Sequence, residues 1–181
     1  MSKGLWVMVC GPSGAGKDSV LRHAERSLQD RSRIVFARRF VTRAAGPGAN
    51  DAELSRDELR RLLASGGASW HWQAHGHDYA IGAAYGDLVA RGDVVVVNGS
   101  REHAAGLRGR PEVRTVLVTA PACTVRERLI ARGRENAAAV ALRMERNAVL
   151  EGQDADRVIA NDGPLAKAGA ALADYLKELA C

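Results

Sequence analysis

The sequence predicts a three-layer α/β/α fold built on a parallel sheet. Apolar runs alternate with helix-patterned segments along almost all of its 181 residues, as strand–helix–strand crossovers require. The runs are continuous rather than alternating, which suits strands buried on both faces. A glycine-rich segment joins the first of these runs to the first helix.

Leu5 to Cys10 (LWVMVC) is the first apolar run, ended by Gly11-Pro12. Gly16 to Leu28 has helical spacing, with Val20, Leu21, Ala24 and Leu28 on one side. A second strand is expected from Ile34 to Val41, leading into a Gly/Ala/Pro-rich loop that ends near Asn50. Ser55-Arg56-Asp57-Glu58 reads as a capping box that opens a helix carrying Leu59, Leu62 and Leu63. Ala68 to Ile81 holds two short strand-like runs about a His/Gly turn, and the alternation of Trp70 and Trp72 puts both indoles on one strand face, towards the core.

Asp93 to Asn98 and Val113 to Ala120 are further strands, the first a Val run ended by Asn-Gly and the second stopped by Pro121. Helices are expected over Thr124–Arg132 and about Asn136–Leu150, with an Arg/Gly hinge between them. Arg157–Ala160 reads as a last strand, Asn161-Asp162-Gly163 as a turn, and Pro164–Leu179 as a closing helix with Pro at its start. One domain over 1–181 is expected, with a small insertion over about 44–82 and a lid over about 126–146.

Composition narrows the function. Hydrophobic residues at 46% and charged residues at 26% are ordinary for a globular chain. The first apolar run is far too short for a signal or membrane segment, which points to a cytoplasmic protein without a membrane partner. Three scattered cysteines without a CxxC pair argue against a disulfide framework or zinc site, and reduced buried thiols are expected. The net charge of +5 comes mostly from Arg; Arg forks suit an anionic substrate, although a compositional preference for Arg accounts for the total equally well. The charge is spread along the chain and aromatic residues are few, which argues against nucleic acid.

Gly11-Pro12-Ser13-Gly14-Ala15-Gly16-Lys17 fits G-x-x-x-x-G-K between a buried strand and a helix, the context of a phosphate-binding P-loop. Its backbone N–H groups and the helix N-terminus face a β-phosphate, and Lys17 reaches the β- and γ-phosphates. ATP with Mg²⁺ is the expected ligand pair, held along Gly11 to Ser19. The residue after the lysine, usually Ser or Thr, is Asp18 here, followed by Ser19. The strand Val94–Val97 ends in Asn98, where such enzymes often place an Asp that holds Mg²⁺. The carboxylate has moved, on this reading, and Asp18 supplies the charge that Asn98 lacks. The competing reading is that Asp18 caps the helix and water holds the metal.

Arg39 and Arg43 lie around one strand end and Arg101 follows another, the ends at which parallel sheets bind ligands. They are candidates for gripping an acceptor phosphate, each with a plain alternative as a surface ion-pair partner. Arg126, Arg128, Arg132, Arg134, Arg143 and Arg146 form the densest basic stretch. An Arg-bearing lid would neutralise charge on a moving phosphoryl and exclude water. For Arg126 and Arg128 a solvated helix face is preferred. His71, His75 and His77 lie in strand-like sequence about a turn, a poor arrangement for one metal.

The P-loop with its following Asp18, Thr42-Arg43, Trp70 to Gly76, Tyr79, Asn98-Gly99-Ser100-Arg101, Arg132 to Asn136 and Asn161-Asp162-Gly163 cover nearly the whole chain. Together they resemble the guanylate kinases and, more closely, the related ribose 1,5-bisphosphate phosphokinases of phosphonate breakdown. That resemblance implies a P-loop kinase fold, ATP-dependent phosphorylation of a small phosphorylated sugar, and the product 5-phosphoribosyl 1-diphosphate. It adds Tyr79 and Asn98 to the substrate-binding set, places Arg132, Arg134 and Arg143 on phosphates, and gives the Asn161-Asp162-Gly163 turn an adenine-edge contact. The chain departs from guanylate kinases after Arg43: Ala44-Ala45-Gly46-Pro47-Gly48 lacks their second Arg, and no Tyr occurs before Tyr79. Tyr79-Ala80 also stands where they have Tyr-Gly. A nucleoside-monophosphate kinase is the alternative enzyme. A non-catalytic guanylate-kinase-like module is a third reading, against which the intact Lys17 argues. RNA binding, the remaining class, would show steep salt dependence.

Overall fold

The computed structural model describes residues 3–44, 51–74, 76–131, 140–142, 144–145 and 154–181. Five strands form the main sheet: β1 (Leu5–Cys10), β2 (Ile34–Phe36), β7 (Val94–Asn98), β8 (Val113–Thr119) and β9 (Arg157–Ala160). Their order is β2-β7-β1-β8-β9, and every neighbouring pair is parallel. Val7 and Val9 of β1 face a core shared with α1 (Lys17–Ser27) and α6 (Leu165–Leu179), through Val20, Leu21, Leu172 and Leu176. Trp6, Met8 and Cys10 face a second core on the opposite side. Both faces of β1 are covered, so LWVMVC has no polar position.

Much of the second face is covered by a smaller sheet of β3 (Arg39–Val41), β4 (Asp51–Glu53), β5 (Ala68–Ala74) and β6 (His77–Gly82), in the order β4-β3-β6-β5. Trp72, Tyr79 and Ile81 from its hairpin are buried against Trp6, Met8, Val95 and Val97, with Trp70 packed beside them. Trp70 and Trp72 thus share the inward face, as their alternation requires. The indole of Trp70 meets Trp6 edge-on, and Trp72 is stacked between Tyr79 and His103.

The single strand expected over Ile34–Val41 is two strands in two sheets. Ala37 N–H still donates to Val96 of the main sheet at 2.8 Å, but the next N–H, of Arg38, donates to the Tyr85 hydroxyl at 2.9 Å. Arg39–Val41 then pairs antiparallel with Tyr79–Ile81. Apolar residues flank Arg38-Arg39 on both sides, and the pattern cannot show which partner each half takes.

Helix α2 (Arg56–Ala64) has the expected capping box: Glu58 N–H donates to Ser55 Oγ at 3.2 Å and Ser55 N–H to the Glu58 carboxylate at 2.7 Å. Helices α3 (Ala83–Ala90) and α4 (Arg101–Gly106) and strand β4 were not expected. AAYGDLVA has little contrast between its faces, and α4 fits between Ser100, whose hydroxyl accepts from His103 N–H, and Leu107. Helix α5 (Ala122–Ala131) begins directly after Pro121, and Leu165–Leu179 follows Pro164 as expected. Residues 140–142 and 144–145 are helical, while the hinge between the two basic helices lies outside the described residues. Of the three cysteines only Cys10 is buried; Cys123 and Cys181 are exposed, against the expectation of buried thiols. Among the described residues, no helix is long and apolar enough to cross a membrane.

Candidate functional site

The loop after β1 is shaped by glycines that no other residue replaces. Gly14 and Gly16 have φ of 93° and 82°, in the left-handed region. A Cβ on Gly16 would also collide with the Asn161 side-chain amide. Gly16 is the N-cap of α1, and its carbonyl accepts from Ser19 N–H at 3.0 Å and Val20 N–H at 3.1 Å. The turn therefore ends with the first N–H groups of α1 at its mouth, the arrangement that receives a phosphate.

Three side chains meet at this mouth. Lys17 Nζ donates to Asn98 Oδ1 and lies 3.3 Å from Asp18 Oδ1. Asn98 Nδ2 donates to the same Asp18 oxygen at 2.9 Å. Parallel pairing of β1 with β7 sets Val9 beside Asn98, which brings the end of β7 to the P-loop. Burial lowers the Lys17 pKa, with the Asp18 charge opposing it. The Lys17 ammonium holds Asp18 down at about 2, against burial and with help from the Asn98 amide. The Asp18 side chain is 71% exposed and that of Lys17 17%. Every contact of the Asp18 carboxylate among the described residues falls on Oδ1. An ionised, accessible carboxylate whose second oxygen meets none of the described residues suits a hard divalent cation.

Beside it stands a second charged group. Arg39 donates from Nε and Nη2 to the two oxygens of Asp51 at 2.9 and 3.0 Å, and from Nη1 to the Asn98 carbonyl at 2.7 Å. Arg43 Nη2 lies 3.8 Å from Asp51 Oδ2. Both guanidiniums sit over the buried Tyr79 ring, at 5.3 and 6.0 Å from its centre. Arg39, Arg43, Tyr79 and Asn98 are thus brought together, while Arg101 is half-buried in the first turn of α4. Of the histidines, His71 Nε2 pairs with Asp78 at 3.0 Å; His75 lies outside the described residues.

Two braces of the P-loop are new to the structure. Asn161, buried at the end of β9, donates from Nδ2 to the Ala15 carbonyl at 2.7 Å. Arg128 of α5 donates to the carbonyls of Ala15 and Asn161, both at 3.3 Å. Arg128 is therefore not the solvated surface residue expected, and Asn161 Nδ2 is engaged by the loop backbone. The Asn-Asp-Gly turn in sequence marks the position but not this role. Asn161→Ala should destabilise the protein by about 1 kcal/mol, because the Ala15 carbonyl loses the closer of its two donors and keeps only Arg128 at 3.3 Å. Thermal unfolding should show the loss, with a weaker KM for ATP; an unchanged Tm would contradict it. The lid residues Arg132, Arg134 and Arg143 lie outside the described residues.

A family model described as an AAA domain matches residues 7–151. A ribose 1,5-bisphosphate phosphokinase PhnN of Desulfomicrobium baculatum is 42% identical over 182 residues, covering 98% of this chain and 96% of the relative. A bifunctional ribose 1,5-bisphosphokinase-thymidine phosphorylase of Azorhizobium caulinodans is 45% identical over 148 residues, which is 81% of this chain and 21% of that longer protein. The fold is shared with guanylate kinase from Anaplasma phagocytophilum, at TM-score 0.69 and 19% identity over 98% of this chain and 86% of that one.

Proposed function

The chain belongs to the ribose 1,5-bisphosphate phosphokinase family, an AAA-domain P-loop lineage, and we propose on that premise that it transfers the γ-phosphoryl of ATP to ribose 1,5-bisphosphate. The products are 5-phosphoribosyl 1-diphosphate and ADP. The observation that carries this reading is the pairing of two charged groups at the strand ends: the Lys17–Asp18–Asn98 cluster beside the P-loop, and Arg39 and Arg43 next to it.

The acceptor is itself a phosphate, ionised at neutral pH, so it needs no strong general base. The work is positioning and charge neutralisation. The P-loop N–H groups and Lys17 hold the β- and γ-phosphates, and Arg43, whose side chain is 41% exposed, holds an acceptor phosphate, with Arg101 of α4 as the second candidate. Asp18, oriented by Asn98, would hold Mg²⁺, which would supply positive charge against the charge developing on the transferred phosphoryl. Arg132, Arg134 and Arg143 are proposed to close over the triphosphate.

The test is ADP release in a coupled assay with ribose 1,5-bisphosphate and, separately, GMP. Turnover with the sugar bisphosphate and none with GMP is expected. Turnover with GMP alone would reject the reading in favour of a nucleoside-monophosphate kinase.

A further inference from the structure

We propose that Asp51 is the positioning residue of the acceptor side, setting Arg43 for the acceptor phosphate while Arg39 serves as a strut. The proposal rests on the phosphoryl-transfer reading above and deepens it.

Asp51 stands in β4, a three-residue strand with nothing in its sequence to mark it, yet its side chain is only 6% exposed. A buried carboxylate in a site built for anions is costly unless it is paired. Here it is paired on both oxygens. The Arg39 fork grips it with two hydrogen bonds, and the third donor of that fork runs to the Asn98 carbonyl. The Asn98 side chain in turn contacts Lys17 and Asp18. A chain of contacts therefore joins β4 of the small sheet, through Arg39 in β3, to the end of β7 and the P-loop lysine.

Arg39 is a poor candidate for direct contact with substrate. Its side chain is 11% exposed, and both edges of its guanidinium are engaged. Arg43 differs on each count. It is more exposed, and its approach to Asp51 at 3.8 Å is too long for a hydrogen bond. The Asp51 charge steers the Arg43 guanidinium onto the Tyr79 face without saturating its donors. One carboxylate between two guanidiniums leaves one positive charge over, which an acceptor phosphate would balance. An arginine held in place loses less freedom when it binds than one that samples solvent.

A double-mutant cycle on acceptor KM tests this, run with whichever acceptor the wild-type enzyme phosphorylates. Asp51→Asn should raise acceptor KM about tenfold in the wild-type background and leave the KM for ATP within about threefold. In an Arg43→Ala background the same change should raise acceptor KM by less than about threefold, since the group it acts through is gone. Equal factors in the two backgrounds would overturn the proposal and leave Asp51 as a structural counter-ion. Asp51→Glu, which keeps the charge, should recover most of the acceptor KM, and should be read in the same cycle if Asp51→Asn does not fold. Wild-type turnover with GMP alone would fail the functional reading, yet the cycle would still decide the role of Asp51.

Discussion

Lys17→Ala should lower kcat/KM by on the order of 100- to 1000-fold, the scale seen when one preorganised donor to a reacting oxyanion is removed. Lys17 is held at the P-loop mouth by Asn98 and Asp18, so on the proposed reading its ammonium meets the γ-phosphate without having to be ordered first. Preorganisation of this kind acts through the transition state, so kcat should fall more than the KM for ATP rises. The fold should survive. Burial disfavours the charged amine, so alanine removes that cost, while it also removes the ammonium that favours the ionised Asp18, and the two effects oppose each other. A Tm close to that of the wild type, together with lost turnover, is the expected pair of results. Activity within tenfold of the wild type would show that Lys17 does not touch the moving phosphoryl.

The residues of this first site were legible in the sequence because each follows from local chemistry. A buried strand, glycines at set spacing and a lysine at the helix start imply one another, and β1, the loop and α1 stand where the pattern put them. The capping box of α2 was readable for the same reason: both partners lie within four residues. What could not be read depends on contacts far apart in the chain. The chain crosses from one sheet to the other at Arg38, where a tyrosine hydroxyl 47 residues away takes the backbone N–H. Arg128 looked like any exposed helix arginine, yet its partner carbonyl at Ala15 is 113 residues away. Asp51 had no motif to mark it. Its weight comes from two arginines, one in another strand and one just beyond that strand, that converge on it only after folding. The position of Arg39 and Arg43 around one strand end put the two on the same footing as candidates for an acceptor phosphate. The structure separates them by how many donors each has already committed.

The second large effect concerns magnesium. If Asp18 carries the charge that Asn98 lacks, Asp18→Asn should raise the Mg²⁺ concentration for half-maximal rate by about ten- to a hundredfold. The neutral isostere keeps the size of the side chain, so the change reads charge rather than packing. The relation between the two positions makes a sharper demand. Asp18→Ser restores the hydroxyl more usual after the lysine and alone should be poor in Mg²⁺, because Asn98 cannot supply the carboxylate. Combined with Asn98→Asp, it should recover Mg²⁺ affinity beyond either single change. Independent effects of the two substitutions would sink the idea that the carboxylate has moved between these positions. The pH dependence gives a second check. With its pKa lowered from 3.8 to about 2, Asp18 adds stability that is fully present above its unfolded value and is lost as pH falls through the folded one. Across neutral pH it stays ionised, so the Mg²⁺ requirement should not change there through Asp18. If Asp18 served only as a helix-terminal anion, Asp18→Asn would lower Tm slightly and leave the Mg²⁺ titration where it was.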